Sequence, residues 1–428
     1  MTDSTQEKPK PILQALQYHQ HICEWLEVNE PKVWHWFSDL DTLEKSIENT
    51  RNSLLKETYR LTPESHSNVY ELCQLAMQRL GIDAPVTIYQ ANDGAMNAAL
   101  YYIPGEIHIV LFGALIDKLE KLELLALLGH ELAHFLLWSM DEGRYLIAHQ
   151  VLEDSVAQAP HNNALYETAR LFSLHTEIFA DRGAVVATQD YRYSIAVLVK
   201  VMTGLSSVAP DAFLSQAKEL DEKGNISDAK SHPESYLRAL FVDKWQSIQT
   251  IEMPTDSAVK LTNEGQAIAT NAEQLDAWIL SKLKGKLSIH SLDLLDQQQL
   301  SRDTSGFFRY FLNETEFETE EVKNQLSMYF SDWDVHQDVL NIDTLKERDF
   351  DDSILDYFIA LIFDLAFADR EQSDEILTKG ADVAAKLDVL DMYKNKLKSV
   401  LKIPKRKADK LCSLAINLQI DAKHKAAQ

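Results

Sequence analysis

Apolar residues in this chain recur mostly with the period of a helix, and over one short stretch with the two-residue period of a strand. Helical patterning runs over residues 12 to 28, 32 to 60 and 64 to 80, where Gly81 ends the last of them. Val86 to Gln90 and Ala98 to Ile103 read as strands, and Pro104-Gly105 turns the chain into a third, Glu106 to Phe112. That predicts a small sheet of about three strands, antiparallel where the Pro-Gly hairpin joins them. From Leu115 onward the pattern is helical again. The apolar run Leu122 to Trp138 predicts a buried helix, and Pro160, Asn162 and Asn163 mark the start of another. The expected fold class is mainly α with a small β-sheet, α+β in its central part, followed by a C-terminal all-α bundle.

Composition narrows the function. A chain of 428 residues is long enough for two or three domains, and thirteen glycines with eleven prolines favour long helices and short loops. The formal net charge of −24 argues against nucleic acid and against anionic membrane surfaces. Cys23, Cys73 and Cys412 are scattered and odd in number, so neither a disulfide framework nor a zinc knuckle follows. Met1 to Pro11 is polar and lacks the apolar core of a signal peptide, which predicts a cytoplasmic protein with reduced thiols. No transmembrane segment is expected. The Leu122–Trp138 run is broken by Glu123, His130, Glu131 and His134, and Ile354 to Ala368 contains Asp356 and Asp364. Neither offers the ~20 uninterrupted apolar residues that span a bilayer.

The chemistry concentrates in His130-Glu131-Leu132-Ala133-His134. Two histidines four apart on a helix lie about 40° apart around the axis and about 6 Å apart along it, so both imidazoles reach one metal ion. Glu131 falls beside that ion, placed to act as a base on a bound water. Catalytic zinc takes three protein ligands and keeps a fourth position for water. Glu177, in Leu174 to Asp181, is the candidate third ligand, and Asp181 lies one helical turn on, where it can accept a hydrogen bond from a ligand imidazole. Taken alone, these two read as solvated surface acids; the upstream motif changes that. His175 is a rival ligand that falls off their shared face. In Ser231-His232-Pro233-Glu234-Ser235-Tyr236-Leu237-Arg238, His232 is placed to donate to an oxyanion. Arg238 is placed to hold a substrate carboxylate or to pair with an active-site acid.

Together these motifs resemble the gluzincin peptidases of metallopeptidase family forty-eight, which include the HtpX-type heat-shock proteases and the endopeptidase acting on prenylated CAAX proteins. The family order of His-Glu-x-x-His, Glu-x-x-x-Asp and His-Pro followed by arginine is matched by His130 to His134, Glu177 to Asp181, and His232-Pro233 to Arg238. Asn97-Ala98 ahead of Glu106 to Val110 is similar to the family's edge strand over the cleft. The resemblance covers roughly residues 62 to 250. It implies a zincin-like domain with one zinc per chain on His130, His134 and Glu177, Glu131 as general base and later general acid, and His232 as a transition-state stabiliser. It also implies a peptide or protein substrate, with Asn97, Ala98 and Arg238 on the substrate side. Many members carry transmembrane helices, so this chain resembles a soluble branch. The sheet edge is read equally as substrate dock and as scaffold.

The expected organisation is a helical extension at 1–61, a zinc metallopeptidase domain at 62–250, a helical linker region at 251–345 and a helical domain at 346–428. In the last, Tyr357 to Phe363 leads into Asp369-Arg370-Glu371-Gln372-Ser373-Asp374-Glu375, which resembles the TerB-like domain of tellurite-resistance proteins, with Arg370 where that family has glycine. Its acids serve either a divalent cation or the positive end of a helix. A protein partner bound through this domain is the expected role. The working expectation is a zinc endopeptidase. The alternative is a latent or inactive peptidase-fold scaffold, with residues 1–60 or the C-terminal half over the cleft.

Overall fold

Helices form nearly wherever the apolar period predicts them. The computed structural model describes residues 13–38, 43–91, 94–159, 161–251, 264–312, 319–330, 333, 340–348 and 350–426. The N-terminal segment Met1 to Pro11 and Pro160 lie outside the described residues. Contacts divide the chain into two units, Met1–Gly285 and Lys286–Gln428.

The first unit runs α1 (Gln17–Asn29), α2 (Pro31–Ser38), α3 (Leu43–Glu57), β1 (Tyr59–Arg60), α4 (Ser67–Leu80), β2 (Val86–Ala91), β3 (Asn97–Ile103), β4 (Glu106–Phe112), α5 (Leu115–Lys118), α6 (Lys121–Ser139), α7 (Arg144–Gln158), α8 (Asn163–Thr188), α9 (Tyr191–Thr203), α10 (Pro210–Glu222), α11 (Ser235–Ile251) and α12 (Glu264–Lys284). Its sheet has four strands in the order β1-β2-β4-β3. The sequence pattern misses β1, because two exposed residues carry no alternation. The β3–β4 hairpin is antiparallel, with Ile103 opposite Glu106 and Gly105 at φ +76° in the turn. By contrast, β2 and β4 are parallel. The hairpin folds β4 back between β2 and β3 and leaves β3 at the edge.

Two helices build the centre. α6 starts in a capping box, where the Glu123 carboxylate accepts from the Glu120 N–H at 2.7 Å. Leu125, Leu128 and Leu132 are fully buried along it. α8 starts at Asn162, whose side chain accepts from the Ala164 and Leu165 N–H groups at 3.1 Å each. The two helices cross at small residues. A Cβ on Gly129 would collide with the Ala187 methyl, and one on Gly183 with the Ala133 methyl. Glycine at both positions lets the backbones touch. α9 is tied to the start of α6 by a buried ion pair, Lys200 Nζ to Glu123 at 2.7 Å.

The second unit is all helical: α13 (Leu294–Leu312), α14 (Glu320–Tyr329), α15 (Ile342–Glu347), α16 (Asp352–Ala368), α17 (Ser373–Lys386), α18 (Leu390–Ser399) and α19 (Lys405–Ala426). Phe307, Phe308 and Phe311 of α13 pack with Phe358 and Ile362 of α16 and Tyr393 of α18 in one core. Residues from 292 onward share that core, so much of the expected 251–345 linker region packs with the helices C-terminal to it. The acids at the start of α17 are engaged within the protein. Asp369 accepts from Thr319 Oγ1 at 2.9 Å and from the Glu371 and Gln372 N–H groups, and Asp374 pairs with Lys407 at 2.6 Å. These contacts favour the helix-end reading of the cluster over the cation reading. No helix among the described residues is long and apolar enough to cross a membrane.

Candidate metal centre

His130 and His134 project from consecutive turns of α6, and Glu177 from α8 across the glycine crossing. Gly129 immediately precedes His130, so the helices approach most closely beside the histidines. His130 Nε2 lies 3.3 Å from His134 Nε2 and 3.5 Å from Glu177 Oε2, and His134 Nε2 lies 3.6 Å from Glu177 Oε1. Tetrahedral ligands about 2.1 Å from a zinc ion stand about 3.4 Å apart, so this triangle matches the spacing of three zinc ligands. Among the described residues, these three form the group with metal-ligand spacing. Glu177 Oε2 is buried and has no hydrogen-bond partner among the described residues; His130 Nε2 and Arg238 Nη2 stand 3.5 and 3.6 Å from it, beyond a good hydrogen bond. A buried acceptor without a partner is costly, and a cation at the centre of the triangle satisfies it. The donor set therefore fits a metal.

Asp181 sits one turn beyond Glu177 and organises the site from behind. His130 Nδ1 donates to Asp181 Oδ1 at 3.1 Å, which sets the tautomer and turns the Nε2 lone pair toward the centre. Arg238 Nε and Nη2 donate to both oxygens of the same carboxylate at 2.7 and 2.6 Å. Of the two uses expected for Arg238, pairing with an acid is the one seen. Burial opposes the charge on Asp181 and on Glu177. Arg238 and His130 outweigh it for Asp181, as do His130, His134 and Arg238 for Glu177, so both carboxyls titrate below their ordinary range. Burial also opposes a charge on His130, but Asp181 and Glu177 prevail and push it up to about 10. Burial dominates at His134, which falls to about 4.

Glu131 is buried, and burial pushes its carboxyl up to about 7 despite the N–H of Leu100, which donates to it from β3. A side chain titrating near neutrality is suited to exchange protons at neutral pH. His232 approaches from the loop before α11, with Nε2 3.5 Å from Glu177 Oε1 and its side chain 63% exposed. His175 faces away from this site. Its Nδ1 donates to the Leu171 carbonyl at 2.7 Å and its ring stacks on Tyr18 at 4.5 Å.

All of these groups except His175 line one cavity of about 540 Å³. Asn97 and Ala98 form part of its β3 wall, on the strand edge that no described strand covers. The opposite wall is apolar and comes from α9, through Val197, Leu198, Val201 and Met202. The sequence reading missed that wall, although Val197 and Val201 stand four apart as one helix face requires. It also missed the Leu100 amide, which leaves no trace in side-chain pattern. No described residue of segment 13–60 lines the cavity.

Comparison with known proteins points to the same segment. Residues 63–246 match the description "Peptidase family M48", ending ahead of the C-terminal unit. The plastoglobule-localized metallopeptidase 48, chloroplastic, of Arabidopsis thaliana is 30% identical over 219 residues, covering 46% of this chain and 61% of that protein. A CAAX prenyl protease 1 homolog of Dictyostelium discoideum is 49% identical over 44 residues, 10% of each chain. The chain thus spans about three-fifths of the length of the first relative and a tenth of the second. No solved structure matches.

Proposed function

Residues 63–246 are a domain of peptidase family M48, and from that premise we propose that the chain is a zinc-dependent endopeptidase. The observation that carries the reading is the convergence of His130, His134 and Glu177 within 4.8 Å, with one carboxylate oxygen left unsatisfied. One zinc ion held there would polarise a water and the scissile carbonyl. Glu131 would accept a proton from the attacking water and return it to the leaving amine. His232, at the cavity rim, donates to the developing oxyanion. Asp181 holds His130 in the tautomer that offers Nε2, and Arg238 keeps Asp181 ionised and in place.

The substrate reading comes from the walls. An extended peptide pairs its backbone with the open edge of β3 between Asn97 and Ala99. One of its side chains rests on the apolar face of α9, which favours an aliphatic or aromatic residue beside the scissile bond. Arg238 is the only lysine or arginine among the described lining residues, and it is already committed to Asp181. Among the described lining residues no lysine or arginine is left free to pair with a substrate's terminal carboxylate, which favours endopeptidase over carboxypeptidase action.

Glu131→Gln is expected to retain zinc at one ion per chain and to lose turnover on a peptide substrate by about 10²–10⁴-fold. His134→Ala is expected to lose both. Metal analysis and peptide cleavage on the purified full chain check this. Undiminished cleavage by Glu131→Gln would falsify the proposed chemistry.

A further inference from the structure

Some of the residues behind the metal centre come from outside segment 63–246. The back face of α8 carries His175 and Arg182, seven apart and so nearly in line along the helix. It is gripped by two helices that the family match does not include, α1 and α12. From α1, Tyr18 stacks on His175, and His19, fully buried, pairs through Nε2 with Thr176 Oγ1 at 3.2 Å. Thr176 directly precedes Glu177. From α12, Asp276 Oδ1 accepts from Arg182 Nη2 at 2.9 Å, and Arg182 is the residue immediately after Asp181. The other oxygen of Asp276 accepts from the N–H of Gln17, the first residue of α1, at 3.4 Å. There the carboxylate also meets the positive end of the α1 dipole. One side chain thereby joins three helices, and its contact to Arg182, with the His19 contact to Thr176 from α1, brackets the turn that carries Glu177 and Asp181.

We propose that Asp276 is a positioning residue for the metal site, fixing the α8 turn of Glu177 and Asp181 through Arg182 and the start of α1. The inference rests on the zinc reading above but concerns residues outside the family segment. Its physical basis is reach. Glu177 must hold its oxygens 3.5 to 3.6 Å from two imidazole nitrogens on another helix, and a small rotation of α8 breaks that triangle. On the cavity side, Arg238 and His130 restrain such a rotation by holding the Asp181 carboxylate. The ion pair on the far side of α8 restrains it from a second direction, because Arg182 projects about 100° around the helix from Asp181. Arg182 has little freedom to find another partner, since its guanidinium also lies over the Trp245 ring at 6.0 Å.

The test uses the zinc-loaded full chain and two readouts, zinc release to a chromogenic chelator and steady-state peptide cleavage. Asp276→Ala is expected to release zinc at least about tenfold faster, the scale at which partners of metal ligands act, and to lower kcat with KM unchanged. Asp276→Asn, which keeps an acceptor but not the charge, is expected to fall between Asp276→Ala and wild type. Leu214→Ala, a cavity in the buried face of α10, serves as the control for general loosening and is expected to release zinc at the wild-type rate. All are compared at the same margin below their own Tm. If Asp276→Ala shows no melting transition, Asp276→Asn decides, and a wild-type release rate in it overturns the inference. So does equally fast release from Leu214→Ala, or unchanged release from a folded Asp276→Ala. A wild-type chain that takes up no zinc overturns the metal reading and this inference with it. A zinc-loaded wild type with an indifferent Asp276→Ala overturns this inference alone.

Discussion

Single residues in this protein are pinned by burial before they are pinned by chemistry. His19 and His175 sit behind α8, and burial first, then neighbouring positive or histidine groups, keep both neutral. His19 lies well below its ordinary value of 6.5, and His175 falls to about 4. A depressed histidine binds its proton in the unfolded chain before it does in the folded one. The stability it contributes is therefore complete above pH 6.5 and drains away as the pH falls toward about 4. For His175 the swing is on the order of 3 kcal/mol. The Tm of the metal-free chain is expected to drop across this window, ahead of the carboxylate region. His175→Phe, which preserves the stack on Tyr18, is expected to flatten part of the drop. Thermal melts from pH 7 to 4 check it, and an equally steep fall in the variant would remove this explanation. The sequence already placed His175 off the face of Glu177 and Asp181. What it did not hold was the partner that makes use of it, because Tyr18 is far away along the chain.

Between elements, the decisive contact is the crossing of α6 and α8. Neither helix can hold the site alone, since two ligands come from one and the third from the other. Gly129 and Gly183 let them meet, and a methyl at Gly183 would collide with Ala133. Gly183→Ala is expected to cost about 1–3 kcal/mol by overpacking and to weaken zinc uptake. Gly81→Ala makes a useful contrast. It strains a residue at φ +70° by about 1–2 kcal/mol, but its Cβ meets nothing within 4 Å and the ligands are remote. Urea unfolding with zinc titration distinguishes the two, and equal zinc affinity in both variants would show that the crossing does not set the site. The helices themselves were legible, because amphipathic period and Asn or Glu caps are local signals. Sheet topology was less so. Alternation finds β2, β3 and β4, but it says nothing of β4 inserting between the other two, nor of a two-residue β1.

For the whole molecule, the chain divides into a unit that carries the cavity and a helical unit with its own core from Leu292 to Ala415. Residues 286–428 expressed alone are expected to unfold in a single cooperative transition, since that core is made entirely from their own side chains. Circular dichroism melting checks it, and a sloping, transitionless melt would show that the unit depends on the rest of the chain. The identities of the metal-facing groups were available from the amino-acid order, because His130, Glu131 and His134 share one helix and Glu177 and Asp181 another. Spacing within a helix is local geometry, and residue numbers suffice to compute it. Folding supplied what spacing along the chain cannot. It carried Glu177 to within 3.6 Å of both histidines, turned Arg238 onto Asp181, and raised the α9 wall. It also brought Asp276 from α12 to the back of α8. Those contacts join residues tens of positions apart, and close packing determines them together.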